Sequence, residues 1–462
     1  MSRFRAKGDV RSTVRKGHGP EKLHGGHRVE IEGSVTPVTP ASLSPLDFPK
    51  PWLYYGTNGL GLDLMTSQAV FDEALVAAIA RFPLVTLNVH PFASTGAGFA
   101  GDRAIVSILK AIRPSMKILW YDTFVQAITH LTVGGQWHEI SDLTIGPPDV
   151  RLYCEDGSFF PFNAANTWWF DTGRVKVALL AIWLAHGGSA HDADGFFLDF
   201  ANGTLYGDSA NESPLDLTRT AWTTAGELNA SGKAGLDYVV DGMLAQGFEV
   251  WANGTADADS IARWTGRLFE GWDSDGGAAL GGAAPDGFGG DFDAAMAAVM
   301  SWQGASPTGD GHALLKSEND GTLYGSSNWF KMQRYTLGCA TVAGGYAYTG
   351  DNRNEHSLTP DDAEMWADEY SVIDGISEDT GAGIGWLGRP TEFGFKDATS
   401  GLYVRHFDNG VVVANASTSQ KTIDLGTQYR RIQGSLQTTI NDGELVQSLT
   451  VPRKDARFLL NA

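Results

Sequence analysis

From Trp52 onward, short apolar runs alternate with longer amphipathic stretches, the pattern of repeated strand and helix units. Eight runs read as strands: 52–60, 83–90, 117–124, 195–201, 248–253, 266–272, 312–318 and 344–349. Between them apolar residues recur at helical spacing, as at Phe71, Leu75, Ala78 and Ile79, or at Ile105, Ile108, Leu109 and Ile112. Eight such units within residues 51–385 predict an α/β fold, a (β/α)8 TIM barrel. The competing architecture, an open doubly wound sheet, needs a glycine-rich dinucleotide turn after a strand. Gly56-Thr57-Asn58-Gly59-Leu60-Gly61 lacks that spacing and reads as a tight turn.

Three departures from the repeat define the rest of the chain. The insertion 125–166 is too long for a simple connection. It holds Trp137, His138, Tyr153, Glu155, Asp156, Phe159 and Phe160, so it is expected to fold over the barrel mouth as a lid. After Trp386 helical periodicity stops and short β-type runs take over at 402–407, 411–414, 422–425, 445–451 and 457–460. Asp408-Asn409-Gly410 is a hairpin signal between the first two, so residues 386–462 are expected to form a small antiparallel β-sandwich domain. Residues 1–50 read as an extended arm and a Pro- and Ser-rich linker.

Charge separates that arm from the body. Residues 1–30 carry eight Arg or Lys against three acids, whereas the 462-residue chain has a formal net charge of −20. So acidic a body argues against nucleic acid as a ligand, because phosphate binding needs a basic surface. The arm reads either as a segment that docks on an acidic protein partner or as a merely solvated terminus. No run of eighteen apolar residues occurs, so no membrane span is expected, and no apolar stretch follows the early positive charges as a secretory leader would require. Localisation stays unknown at this point, with association with a virion and export by a non-classical route as the two readings. Cys154 and Cys339 show no metal-ligand spacing and read as buried free thiols.

Strand ends hold the candidate chemistry. In a barrel the active residues sit at the C-terminal ends of strands. Gly195-Phe196-Phe197-Leu198-Asp199 places a carboxylate where an apolar run would not tolerate one without a partner or a purpose. Phe269-Glu270-Gly271-Trp272 does the same two strands later, and Asp122 and Glu318 end strands three and seven as reserves. Cleavage of a glycosidic bond needs such a pair: one acid to protonate the leaving oxygen, one carboxylate to attack the anomeric carbon or activate water. Asp199 and Glu270 are therefore the expected catalytic pair. Tyr54, His90, Trp120, Asp122, Asn202, Trp251, Asn253, Trp272, Glu318 and Tyr348 are expected to bind carbohydrate, the aromatic rings by stacking on sugar faces. No HExxH motif or GxSxG elbow is present, and no cofactor or metal is expected. The acidic loops at Asp192-Ala193-Asp194 and 286–293 do not match a calcium-binding EF-hand.

The segments Gly195-Phe196-Phe197-Leu198-Asp199 and Phe269-Glu270-Gly271-Trp272, with the tail pattern from Arg405-His406-Phe407-Asp408-Asn409-Gly410 to Asn415, resemble the hypothetical glycosyl hydrolase family fifteen, a group of barrels unrelated to the glucoamylases. That resemblance implies a barrel with a C-terminal β domain acting on a cell-surface or extracellular polysaccharide. By analogy with retaining galactosidase-like barrels, it implies Asp199 as nucleophile and Glu270 as acid/base. The alternative is a glycan-binding or structural component of a larger assembly, such as a virion tail or surface protein, that holds a sugar without cutting it.

Overall fold

The computed structural model describes residues 47–55, 73–88, 106–123, 126–128, 152, 167–169, isolated positions of 173–184, 193–199, 201, 216–254, 262–272, 292–302, 312–317, 324–350 and 365–462. Within these, each of the eight apolar runs contains one parallel strand. In chain order they are β1 (Trp52–Tyr55), β2 (Leu84–Asn88), β3 (Lys117–Thr123), β6 (Gly195–Asp199), β7 (Glu249–Ala252), β8 (Gly266–Phe269), β9 (His312–Ser317) and β10 (Tyr346–Thr349). They pair successively as one eight-stranded sheet. A parallel bridge between Pro51 and Ala347, with the Ala347 N–H donating to the Lys50 carbonyl at 3.2 Å, joins the first strand to the last and closes the barrel. Two short strands, β4 (Gln126–Ile128) and β5 (Thr167–Trp169), pair antiparallel where the long insertion leaves and re-enters the barrel.

Closure brings residues of distant strands together inside. Trp52 of β1 and Phe197 of β6 meet at 6.0 Å between ring centroids, and Trp251 of β7 meets Tyr346 of β10 at 5.5 Å. Trp52 also donates its indole N–H to the Thr86 hydroxyl at 2.9 Å, so this buried polar pair is satisfied without water. Gly266 opens β8 because the Trp251 ring lies 2.2 Å from where a Cβ would stand. Toward the N-terminal end of the barrel, Lys117 pairs with Glu249. His312 is buried beside them, and burial followed by the charges of Lys50 and Lys117 holds its pKa well below the ordinary value.

The outer layer contains α1 (Glu73–Ala80), a helix over 106–112, α2 (Ala225–Ala245), α3 (Phe292–Met300) and α4 (Ser327–Ala343). α2 starts at a capping box formed by Thr224 and Glu227. α4 starts at Ser326 and stops at Gly344, whose φ of 84° suits glycine. The opposite side of α4 carries the C-terminal domain. That domain contains β13 (Phe395–Lys396), β14 (Tyr403–Phe407), β15 (Gly410–Asn415), β16 (Lys421–Arg431), β17 (Leu445–Val451) and β18 (Asp455–Asn461), after a small β11–β12 pair (Val372–Ile373 and Ile376–Ser377). The six strands form one antiparallel sheet in the order β13-β14-β15-β18-β16-β17. One face, with Ala414, Ala456 and Phe458, joins the barrel's core, and the other encloses Leu402, Val411, Val413, Leu449 and Val451 in a second core. Asp408 and Asn409 form the expected turn, placing Phe407 opposite Gly410.

Candidate active site

Five side chains converge at the C-terminal end of the barrel strands. Asp199 ends β6, Asn253 follows β7, Glu270 follows β8, Lys316 is near the end of β9 and Tyr121 lies in β3. Strand alternation turns Tyr121, Phe197 and Asp199 to the interior, where Tyr121 and Phe197 stack at 5.8 Å. Asn253 is fixed by its backbone, donating to Leu198 O at 2.9 Å and accepting from Ala201 N–H at 2.8 Å. After Glu270 the chain passes through Gly271 at φ 69°, a left-handed turn that ends the strand.

One amide nitrogen ties the two carboxylates together. Asn253 Nδ2 donates to Asp199 Oδ1 at 3.0 Å and to Glu270 Oε2 at 3.0 Å. Two acceptors 3.0 Å from one nitrogen lie within about 6 Å of each other. The Tyr121 hydroxyl donates to Asp199 Oδ2. Lys316 Nζ lies 3.0 Å from Glu270 Oε1, with the two side chains 14% and 25% exposed. Among the described residues the site brings together two acids and a cation in contact with one of them, and both acids have oxygens oriented by neighbouring strands.

The chain matches no protein-family model and no curated protein. Similar solved structures include the maltogenic α-amylase AmyB from Thermotoga neapolitana, at 12% identity over 89% of this chain and 99% of that one, with a TM-score of 0.46. Amy13B of Eubacterium rectale aligns at 9% identity over 92% of this chain and 99% of that one, with a TM-score of 0.48. A cyclic α-maltosyl-(1→6)-maltose hydrolase from Arthrobacter globiformis aligns at 10% identity over 89% and 97%, with a TM-score of 0.43. Likeness at this level carries no argument about activity, which rests on the geometry of the site.

That geometry corrects part of the expected binding set. Trp251 is 0% exposed, packed against His312 and Tyr346 inside the barrel, and donates its indole N–H to Glu249 at 2.9 Å. Trp272 is likewise 0% exposed and packs between the barrel and the helices, against Phe292 and Tyr335. Trp120 alternates to the outer face of β3 and is buried there. A ring covered on both faces has none to offer a sugar, so these three tryptophans are core residues and not stacking platforms. Tyr348 lies in the interior against Trp52. The side chains of Tyr54 and Asp122, together with His90, Asn202 and Glu318, lie outside the described residues, as do most of the insertion and the basic arm.

Tyr121 and Lys316, which were not expected here, contact the two acids. The signal for Lys316 was present in Leu314-Leu315-Lys316, a cation within an apolar run. Among the described residues no cluster of three or more His, Cys, Asp or Glu could hold a metal ion, and no helix is long and apolar enough to cross a membrane. Asp194, from one of the acidic loops, pairs with Lys110 at 2.7 Å and accepts the Ile118 N–H at 2.7 Å. Cys339 is a buried free thiol, pushed up to about 12 by burial.

Proposed function

We propose that the barrel is a retaining glycoside hydrolase of the hypothetical family-fifteen type, acting on a cell-surface or extracellular polysaccharide. The observation that carries this reading is the Asn253 bridge, one amide nitrogen 3.0 Å from an oxygen of each acid, which keeps those oxygens within about 6 Å of each other. Retaining enzymes hold their two carboxyl groups about 5–5.5 Å apart, whereas inverting enzymes leave about 6.5–9.5 Å for a water. In this mechanism Glu270 donates its proton to the leaving oxygen while Asp199 attacks the anomeric carbon. Water, deprotonated by Glu270, then releases the sugar with its configuration retained. The Tyr121 hydroxyl and the Asn253 amide hold Asp199 in its attacking orientation. A protein that binds glycan without cutting it has no need of two carboxylates tied at this distance.

The test is a screen of polysaccharides and aryl glycosides for reducing-sugar release, with the first-formed anomer followed by NMR. Asp199→Asn is expected to fall to background and Glu270→Gln to lose about 10²–10⁴-fold on unactivated substrates. Undiminished activity in both variants, or a product of inverted configuration, would sink the assignment.

A further inference from the structure

We propose that Phe393 and Phe395 form a carbohydrate-binding platform of their own, which anchors the chain to a neutral polysaccharide away from the catalytic pair. The ligand class is that of the glycan reading above, on which this proposal rests. Phe393 is 69% and Phe395 38% exposed, against the burial that phenyl rings ordinarily favour. Gly394 between them explains why both point outward. A Cβ on Gly394 would stand 2.2 Å from the Val342 carbonyl oxygen of α4, so this residue faces the helix and its two neighbours face solvent.

The platform is fixed from behind. Arg405 of β14 donates from Nε to the Glu392 carbonyl at 3.1 Å, and from Nη1 to the Thr341 and Val342 carbonyls at 3.4 and 3.2 Å. The segment leading into β13 is thereby clamped onto the last turn of α4. β13 is an edge of the six-stranded sheet, so no described strand pairs with its outer side. Phe395 has the His406 imidazole stacked beside it, with centroids 6.3 Å apart and planes at 28°. Phe393 makes no ring contact among the described residues. With the backbone beneath already set, ordering the two rings costs a ligand little.

An open phenyl face takes the apolar C–H face of a sugar ring, while the sugar's hydroxyls need hydrogen-bonding groups at the rim. His406 and Glu392 supply them. The imidazole Nδ1 donates to Glu392 Oε1, the two side chains are about two-fifths exposed, and Nε2 and Oε2 have no partner among the described residues. The charges nearby are balanced, since Lys396 pairs with Asp293 at 3.0 Å and Glu392 holds His406. Beyond this patch the chain's formal net charge of −20 keeps polyanions away. An uncharged polysaccharide meets both conditions. Position separates the platform from the cleft: α4 ends at Gly344, just before β10 begins, so its last turn lies at the N-terminal end of the barrel strands, opposite Asp199 and Glu270. The platform holds polymer and is no subsite of the cleft.

The test is depletion of the full chain onto insoluble neutral polysaccharides, namely granular starch, cellulose, β-1,3-glucan and mannan, with cross-linked polygalacturonate as the anionic comparator. Asp199→Asn serves as the parent, so that bound polymer is not consumed. Adding Phe393→Ala/Phe395→Ala should weaken retention on the neutral polymer that binds best by about tenfold, and Phe393→Trp should strengthen it. In the active chain the same double substitution should leave kcat and KM on a short aryl glycoside unchanged. A thermal transition close to wild type checks that the double variant folds, and Phe393→Trp tests the platform by gain. Equal retention of the parent and the double variant overturns the platform, as does no retention on any neutral polymer or tighter binding to polygalacturonate. Self-association in sedimentation that depends on the two rings overturns it too, because a second copy is then the occupant. Ring-dependent retention in a chain that cleaves nothing supports the platform and rejects the hydrolase reading instead. Cleavage with unaltered retention rejects the platform alone.

Discussion

Arg334 of α4 and Asp455 of β18 meet inside the junction between the barrel and the C-terminal sheet, Nε to Oδ1 at 2.9 Å, with side chains only 4% and 3% exposed. Asp455 also receives Arg457 at 2.8 Å through its other oxygen. The carboxylate is thus shared by two guanidinium groups where water hardly reaches. Removing one partner of a buried pair leaves an uncompensated charge, at a cost of about 3–5 kcal/mol. Asp455→Ala takes this carboxylate from two guanidinium groups, whereas after Arg334→Met Asp455 keeps Arg457. Asp455→Ala should therefore be the more destabilising in urea unfolding, and the Arg334→Met/Asp455→Ala double variant should recover part of the loss.

Asn253 contributes geometry to the site, so its removal should affect turnover more than folding. Asn253→Ala deletes both 3.0 Å bonds that hold Asp199 and Glu270 in register. Misplacement of reacting groups by about 1 Å is worth on the order of 10²-fold in rate. A drop of that size in kcat, with the thermal transition close to wild type, is the expected outcome on any substrate the screen identifies. A drop in stability with unchanged kcat would assign Asn253 to the scaffold alone.

Asp368 and Glu369, adjacent in sequence, should respond to pH in opposite ways. Burial pushes Asp368 up, but the N–H groups of Leu436, Ser435 and Gln437, with the Asn441 amide, outweigh it and hold the carboxyl below its ordinary value. Its stabilisation is present above the unfolded value of about 3.9 and is lost as pH falls through the lower folded value. Asp368→Asn should flatten stability in that acid range. Burial raises Glu369 despite the charge of Arg334, and its Oε2 has no hydrogen-bond partner among the described residues. The protonated form is favoured, so this contribution is present below about 4.3 and lost as pH rises through the folded value. Glu369→Gln should therefore unfold at higher urea than wild type at pH 8 and show no such gain at pH 4.

Gly338 allows α4 to lie against the C-terminal sheet. A Cβ there would stand 2.3 Å from the Ala456 Cβ of β18. In an open helix, glycine to alanine gains about 0.5–1 kcal/mol. Overpacking a close contact costs about 1–3 kcal/mol, so the clash decides the sign. Gly338→Ala should lower the thermal midpoint, and adding Ala456→Gly should restore it.

Local pattern carried the strands. Runs such as Leu84-Val85-Thr86-Leu87 and Gly195-Phe196-Phe197-Leu198 are apolar on both faces because a parallel strand in a barrel is covered inside and out, and that feature needs only neighbouring residues to be read. The turn at Asp408 and Asn409 was legible for the same reason, as two residues suffice to specify it. Asp199 and Glu270 stood out because a carboxylate after an apolar run is costly wherever the strand lies.

Covering on both faces also erased the alternation that would have told inside from outside. Trp251 faces the barrel interior, Trp120 and Trp272 lie in the layer beneath the helices, and none shows in the sequence which side it takes. The sequence by itself therefore determined eight strands, a following antiparallel sheet and two acids at strand ends. Closure through Pro51 and Ala347, the register that sets Asn253 between those acids, and the reach of Tyr121 and Lys316 to them were decided only by the tertiary structure. The reason is physical: each joins residues from different strands, tens of positions apart in the chain, whose separation depends on barrel closure and strand stagger and not on any local preference.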